Sequence, residues 1–170
     1  MISSVCRFAI AIIFAVSAIH SMRAWAIYTA QVINYKILTE RLARIASWVL
    51  PPAQLAIAIM LTITTTACIP GLALMALFTA AIAINVARGR TDIACGCGGA
   101  TGQKLSWGLV GRNLVLCATL AIGLATPSPG WDAASLVTIA GATTFLVTLY
   151  FAAGQLLANA QALAPRQRAA

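Results

Sequence analysis

Two cysteines separated by a single glycine, Cys95-Gly96-Cys97, are the residues whose type and spacing point most directly to chemistry. Two thiols so placed can close a small strained ring, provided the residue between them takes a backbone shape that glycine permits and bulkier residues resist. Strained disulfides are more oxidising and exchange more readily. Arg88, Arg90 and Lys104 flank the pair, and nearby positive charge lowers a thiol pKa and raises the fraction of attacking thiolate. The stretch 88–106, RGRTDIACGCGGATGQKLS, therefore has the parts of a redox dithiol. Cys95 and Cys97 are its exchanging atoms, Gly96 the conformational permit, and Arg88 and Arg90 the supporting charges. Two other readings stand beside it. The thiolates could hold a soft metal ion, but a closed zinc site needs four ligands and the chain has no second closely spaced cysteine pair, so no metal is assigned. The cysteines could also form a structural disulfide, or be idle thiols in a glycine-rich turn.

The remaining candidates are more scattered. Cys6, Cys68 and Cys117 lie within apolar runs, where a free cysteine commonly acts as a small apolar packing residue. Cys117 falls two to three turns into its helix, too deep to reach Cys95 unless the loop folds back, while Cys68 could take part in a relay between the two membrane faces. His20 is the only histidine and could bind a quinone or shuttle a proton from the end of the first span, or simply make one interfacial hydrogen bond. Gln54, Asn85, Arg112 and Asn113 are polar residues inside apolar segments, for which hydrogen bonding between helices is the default role.

The elements that position these residues must be membrane helices. The chain has 170 residues, 61% of them hydrophobic and only 8% charged, with a mean hydropathy of +0.93. A soluble domain of this size leaves roughly 30% of its unfolded-chain surface in water, which so few charges cannot cover, so a soluble enzyme is excluded. The formal charge of +8 would suggest nucleic acid in a soluble protein. Here the basic residues stand at the ends of apolar runs, where they meet lipid headgroups, and no nucleic-acid partner is expected. A helix crosses the bilayer with roughly 20 residues. The apolar runs predict an all-α polytopic bundle in a single integral membrane domain, with five spans near 3–22, 47–67, 70–86, 107–125 and 134–157. Segment 23–46 is read as an interfacial amphipathic or re-entrant piece, with a plain loop as the alternative. Pro51-Pro52 is expected to open the second span, and Pro70-Gly71 to make a tight turn that pairs the second and third spans as an antiparallel hairpin. Arg7 before an apolar stretch imitates a signal peptide, but no cleavage site is followed by a soluble domain, and the segment is read as retained.

Five spans place segment 23–46, the cysteine loop and the C-terminal tail on one side, together with most of the Lys and Arg residues. By the positive-inside rule that side is cytoplasmic.

Residues 84–116, INVARGRTDIACGCGGATGQKLSWGLVGRNLVL, resemble the signature stretch of the MauE family of methylamine utilisation membrane proteins. The matching positions are Asn85, Arg88, Arg90, Cys95, Gly96, Cys97, Gly99, Ser106, Trp107, Arg112 and Asn113. The upstream VINYKILTERLARIASWVLPPAQL is similar to the family and to the wider DoxX-like group, and the resemblance covers about residues 1–125. Gln54 stands where the family often has a carboxylate, and Gly98-Gly99 replace an aromatic common after the cysteine pair. The resemblance implies a four-helix DoxX-like core plus one helix, in the bacterial inner (cytoplasmic) membrane. It implies a role in maturing methylamine dehydrogenase, whose exported small subunit carries several disulfides, together with a periplasmic thioredoxin-like partner of MauD type. A periplasmic client and a cytoplasmic cysteine loop conflict: either electrons cross the membrane, or the loop faces the periplasm against the charge rule. Two rival roles remain beside thiol–disulfide exchange. One is a non-catalytic scaffold for that partner. The other is a DoxX-like quinone-linked or small-molecule carrier using His20, Gln54 and Arg112; beyond that quinone, no cofactor is expected.

Overall fold

The computed structural model describes residues 1–93, 104–126 and 133–167, with side chains for all of these but 133, 134 and 161–167. Cys95, Gly96, Cys97 and Gly99 lie outside the described residues. Six α-helices follow in order: α1 (Ile2–Arg23), α2 (Trp25–Asn34), α3 (Glu40–Ile63), α4 (Cys68–Ala87), α5 (Trp107–Ala125) and α6 (Ala133–Gln167), with a 3-10 turn at Thr65–Ala67. Among the described residues, five helices are long and apolar enough to cross a membrane. The protein is an all-α membrane bundle, as its hydropathy predicts.

The helices start and stop for local reasons. His20 and Arg23 fall in the last turn of α1, where positive charge suits the helix dipole. The chain then bends at Ala24, whose φ of −106° and ψ of 43° are not helical. The resulting short α2 buries only Tyr28 and lies along the start of α3. Thr29 donates to the Ser47 hydroxyl at 3.1 Å, and the Trp25 and Trp48 rings meet at a tilt of 53° with centroids 4.3 Å apart. Amphipathic aromatic rings of this kind favour the level of the lipid headgroups.

Three boundaries differ from the sequence expectation. Segment 23–46 is divided between α2 and the first turns of α3, because the periodic apolar positions Leu42, Ile45 and Trp48 continue one helical face into the span. Pro51 and Pro52 lie in the middle of α3 instead of opening it. They deprive the carbonyls of Ser47 and Trp48 of their helical donors, a loss a membrane helix tolerates when neighbouring groups compensate. The turn between the second and third spans is made at Thr64–Ala67, with the Thr66 amide donating to Thr64 Oγ1. Pro70 and Gly71 belong to the first turn of α4, where a missing amide donor costs least.

α1 is the axis of the fold. In its membrane window 61% of the residues are buried, against 11% for α6. Ile10, Phe14, Leu61, Leu74, Met75, Leu116 and Leu120 form the main core where α1, α3, α4 and α5 converge. A smaller cluster of Ile82, Val86, Leu105, Leu109 and Val110 joins the end of α4 to the start of α5, with Tyr35 and Ile93 packed against it.

Arg7 is the main surprise. Instead of meeting headgroups it is buried at 5% exposure. Its Nε donates to the Leu61 carbonyl at 2.9 Å and its Nη1 to Thr65 Oγ1 at 3.0 Å. The Leu61 carbonyl lies in the last turn of α3, where the helix leaves its final acceptors open. Ser3 donates to the Gly123 carbonyl at 2.7 Å. A Cβ on Gly123 would stand 3.4 Å from that of Cys6, so the missing side chain lets α1 and α5 approach closely.

Candidate functional site

The opposite end of the bundle holds the residues that bracket the cysteine pair. α4 stops there through a specific backbone device. The Gly89 amide donates to the Val86 carbonyl and the Arg90 amide to the Asn85 carbonyl, both at 3.0 Å, with Gly89 at a φ of 72°. This is a Schellman stop, which needs a left-handed residue at the position after the cap and takes glycine most readily. It turns Arg90 towards α2. The Arg90 guanidinium donates to the carbonyls of Asn34 at 3.1 Å and Tyr35 at 3.3 Å. A cation at the C-terminal carbonyls of α2 satisfies groups the helix leaves open and complements its dipole.

The next residues close the base of segment 94–103. The Leu105 amide donates to the Ile93 carbonyl at 3.1 Å, and Lys104 Nζ lies 2.8 Å from Asp92 Oδ1. The Lys104 ammonium, by its hydrogen bond and its charge, holds the Asp92 carboxyl below the usual carboxylate range. Beneath this clasp, Leu105 is buried with Ile82, Val86, Leu109 and Val110. The two chain ends that carry the cysteine segment are thus held side by side, tied to α2 through Arg90 and to the core through Leu105.

The described candidate residues divide into three groups. Asn85, Arg88 and Arg90 are at this end. Arg88 is exposed, whereas Arg90 is engaged with α2 and Lys104 is paired with Asp92. Asn85 is fully buried; its amide donates to the Ala81 carbonyl at 3.0 Å, and its Oδ1 has no hydrogen-bond partner. Asn113 is also buried, in α5. Arg112 points towards α6: its Cζ lies 4.8 Å from the Tyr150 ring centroid, and its buried Nε and Nη2 make no hydrogen bond. The guanidinium also lies beside Gly154, where a Cβ would stand 3.5 Å from Arg112 Nη1, an ordinary contact distance.

His20 is exposed near the end of α1, and Gln54 is buried within α3. Cys117 is partly buried beside Thr79 in the α4–α5 interface. Cys6 and Cys68 are buried free thiols at the far end of the bundle, in electrostatic reach of each other, and Cys68 also of Arg7. Sequence reasoning missed two partnerships, Arg7 with the end of α3 and Arg90 with the end of α2. Both join side chains to backbone carbonyls more than fifty residues away, and no local pattern announces them.

An integral-membrane helical protein with a clasped polar segment between its fourth and fifth helices is the class that this fold and site define. A family profile described as methylamine utilisation protein MauE matches residues 1–126. The chain is 39% identical over 152 residues to methylamine utilization protein MauE of Paracoccus denitrificans, covering 84% of this chain and 81% of that one. It is 42% identical over 146 residues to the protein of the same name from Methylorubrum extorquens, covering 80% and 78% respectively. For that of Paracoccus versutus the figures are 37% over 156 residues, 86% and 82%. No solved structure matches the chain. With most of its length matched, the chain belongs to the MauE family.

Proposed function

We propose that this protein supports maturation of methylamine dehydrogenase from the bacterial inner membrane, by thiol–disulfide exchange at Cys95 and Cys97 with a periplasmic thioredoxin-like partner of MauD type. In the oxidising direction, a thiolate of the partner attacks one sulfur of the Cys95–Cys97 disulfide. A mixed disulfide forms and the other cysteine leaves as thiolate. The partner's second thiolate then attacks its own sulfur in that mixed disulfide and releases Cys95 and Cys97 as the dithiol. Two electrons pass from partner to membrane protein, and the partner's new disulfide is available to the small subunit of the dehydrogenase.

The observation that supports this reading most is the clasp. The sequence segment with two thiols one residue apart is bracketed by Asp92–Lys104, Ile93–Leu105 and the Arg90 grip on α2. Such a base holds a short exchange segment in place against a membrane bundle while leaving its chemistry to the residues between. Exposed Arg88 adds positive charge that favours thiolate.

Alkylation trapping in intact cells expressing the full chain tests the proposal. Cys95 and Cys97 should cycle between thiol and disulfide during dehydrogenase synthesis, and in Cys97→Ser the lone Cys95 thiolate should attack the disulfide of the oxidised partner, the same step run from its product side, and accumulate the mixed disulfide. Normal maturation of the dehydrogenase by the Cys95→Ser/Cys97→Ser double variant would overturn it and point to a scaffold.

A further inference from the structure

Between α2, α3 and α4 lies a part-open space of about 200 Å³ whose walls are almost wholly apolar, with Val32, Leu50, Leu77, Phe78 and Ala81 among them. Tyr28 and Tyr35 also line it, but both already have partners, so a polar ligand finds little to bond there. A cavity of roughly 150 Å³ holds the six carbons of benzene, and by proportion this one holds about eight carbons of a hydrocarbon chain. Its depth suits such a chain. Ala46 and Leu50 come six and ten residues after Glu40, the start of α3, and Ala81 and Leu77 come six and ten residues before Ala87, the end of α4. At 1.5 Å per residue both walls put the space about 9–15 Å in from the helix ends, within one leaflet of a hydrocarbon core roughly 30 Å thick. Leu77 and Leu38 at its edge are exposed, which opens it to the lipid.

Filling alone does not choose a lipid, because a tail entering the space leaves one hydrocarbon setting for another. Selection falls to charge. Leu77, Ala81, Ile84 and Arg88 form one row along α4, at helical steps of four, three and four residues. The apolar row that walls the space therefore runs to an exposed cation at the helix end. On the facing wall Lys36, also exposed, stands between the lining residues Tyr35 and Ile37. Lys36 has a φ of 46° and is the only non-glycine among the described residues with a positive φ. A helix stop of this hand takes glycine or asparagine more easily, so a lysine there bears a backbone cost that points to a use for its charge. The Arg90 guanidinium, seated on the carbonyls of Asn34 and Tyr35, offsets the negative end of the α2 dipole that would oppose an anion beside Lys36. Among the described residues the two carboxylates at this end are taken, Glu40 by Arg44 and Asp92 by Lys104, and neither Lys36 nor Arg88 has an ion-pair partner. A slot of acyl dimensions thus ends at two uncommitted cations.

We propose that the space between α2, α3 and α4 binds one acyl chain of an anionic glycerophospholipid, whose phosphate is held by Lys36 and Arg88. Each cation near the membrane surface favours an anionic headgroup about fivefold, roughly 1 kcal/mol. The assignment is independent of the thiol chemistry proposed above.

The test uses the full chain in phosphatidylcholine nanodiscs doped with phosphatidylglycerol or phosphatidylcholine that carries a diazirine midway along one acyl chain. Every lipid-facing surface is open to this label, so the exposed face of α6, with Val137, Phe145 and Leu149, serves as the internal reference. The ratio of phosphatidylglycerol to phosphatidylcholine labelling should be about twentyfold higher on peptides covering 28–38 and 77–81 than on α6, two cations acting together. Lys36→Gln and Arg88→Gln should each lower that ratio about fivefold and, as changes at exposed positions, leave the fold intact. Lys36→Gly, which keeps the turn and removes the charge, should match Lys36→Gln, whereas Lys36→Arg should retain the preference. Arg23→Gln lies at the other end of the ten-residue α2, beyond a Debye length of roughly 8 Å, and should leave it unchanged. Ala81→Phe, which fills the space, should remove labelling of 28–38 by both lipids and spare α6; should that variant fail to fold, the charge variants decide.

Equal ratios on these peptides and on α6 would overturn the assignment. Equal losses from Arg23→Gln and Lys36→Gln would do the same, since they mark a diffuse surface potential. Absence of lipid label from 28–38 and 77–81 in the parent, with those peptides crosslinked to a second copy of the chain, would overturn it in favour of a protein occupant.

Discussion

Where α1, α3 and α5 meet, Ser3 and Arg7 are buried and bonded to the carbonyls of Gly123 and Leu61. Where α2, α4 and α5 meet, Arg90 and the Asp92–Lys104 pair work at the edge of the bundle: Arg90 is half-buried and the ion pair largely exposed. Both ends use side chains to satisfy helix-terminal carbonyls, but burial sets what each contact is worth. In the first case the polar groups lie where water cannot replace a lost partner. In the second, solvent screens the charges and competes for the hydrogen bonds. One end fixes the helices to each other; the other ties together the two chain ends on either side of segment 94–103 through contacts that solvent weakens.

Removing Arg7 is the strongest way to break this contrast. Arg7→Met should destabilise the bundle by about 2–4 kcal/mol, because the Leu61 carbonyl and Thr65 hydroxyl lose their donor in a buried setting. Unfolding in mixed detergent micelles measures this, and the alkylation rate of Cys95 and Cys97 below the transition should stay as in the parent. Equal stability of the two proteins would show that the buried end does not carry the load assigned to it.

Arg90→Gln should act in the opposite pattern. It loses the charged donors to Asn34 and Tyr35 at a part-exposed site, about 1 kcal/mol after allowance for solvent. Global unfolding should scarcely change, while alkylation of the cysteine pair rises roughly fivefold as the clasp opens more often.

Asp92→Asn should have the smallest effect, altering alkylation less than about twofold, since the ion pair it breaks is exposed. Its pH dependence sharpens the point. Lys104 depresses the Asp92 pKa in the folded protein, so the pair's contribution is complete above the ordinary aspartate value near 3.9. It is lost only as pH falls through the depressed folded value. After correction for thiolate content, parent and Asp92→Asn should differ by a constant factor from pH 6 to 8, and converge only in strong acid.

Much of the architecture is legible in the sequence because membrane helices declare themselves by composition. The fourth span is read as 107–125 and found at Trp107–Ala125, since Ser106 and Thr126 bound a run that stays apolar on balance despite Arg112, Asn113 and Thr119. The start of α3 is less legible, because Glu40, Arg41 and Arg44 make its first turns resemble an interfacial loop. The Glu40–Arg44 ion pair is in fact a one-turn helix contact, of the kind that supports exposed helix. The prolines mislead in a similar way. A breaker rule assigns Pro70-Gly71 to a turn, yet the turn forms at Thr64–Ala67, and Pro70 fits the opening turn of the next helix. Arg7 and Arg90 were visible only as charges. What they hold depends on which helix ends the folded chain brings beside them.

The burial of α1 also bears on how the protein is made. The ribosome delivers this helix before any helix that packs on it, and the acceptors of Arg7 follow 54 and 58 residues later. An arginine carries a penalty of roughly 2.5–3.5 kcal/mol at the centre of an inserting helix on translocon scales, and less towards its ends, where Arg7 stands as the sixth residue of α1. The apolar remainder of the helix offsets that cost on insertion, but the buried bonds of Arg7 form only once the hairpin of α3 and α4 arrives, so the first span reaches its final packing only after later parts of the chain are made.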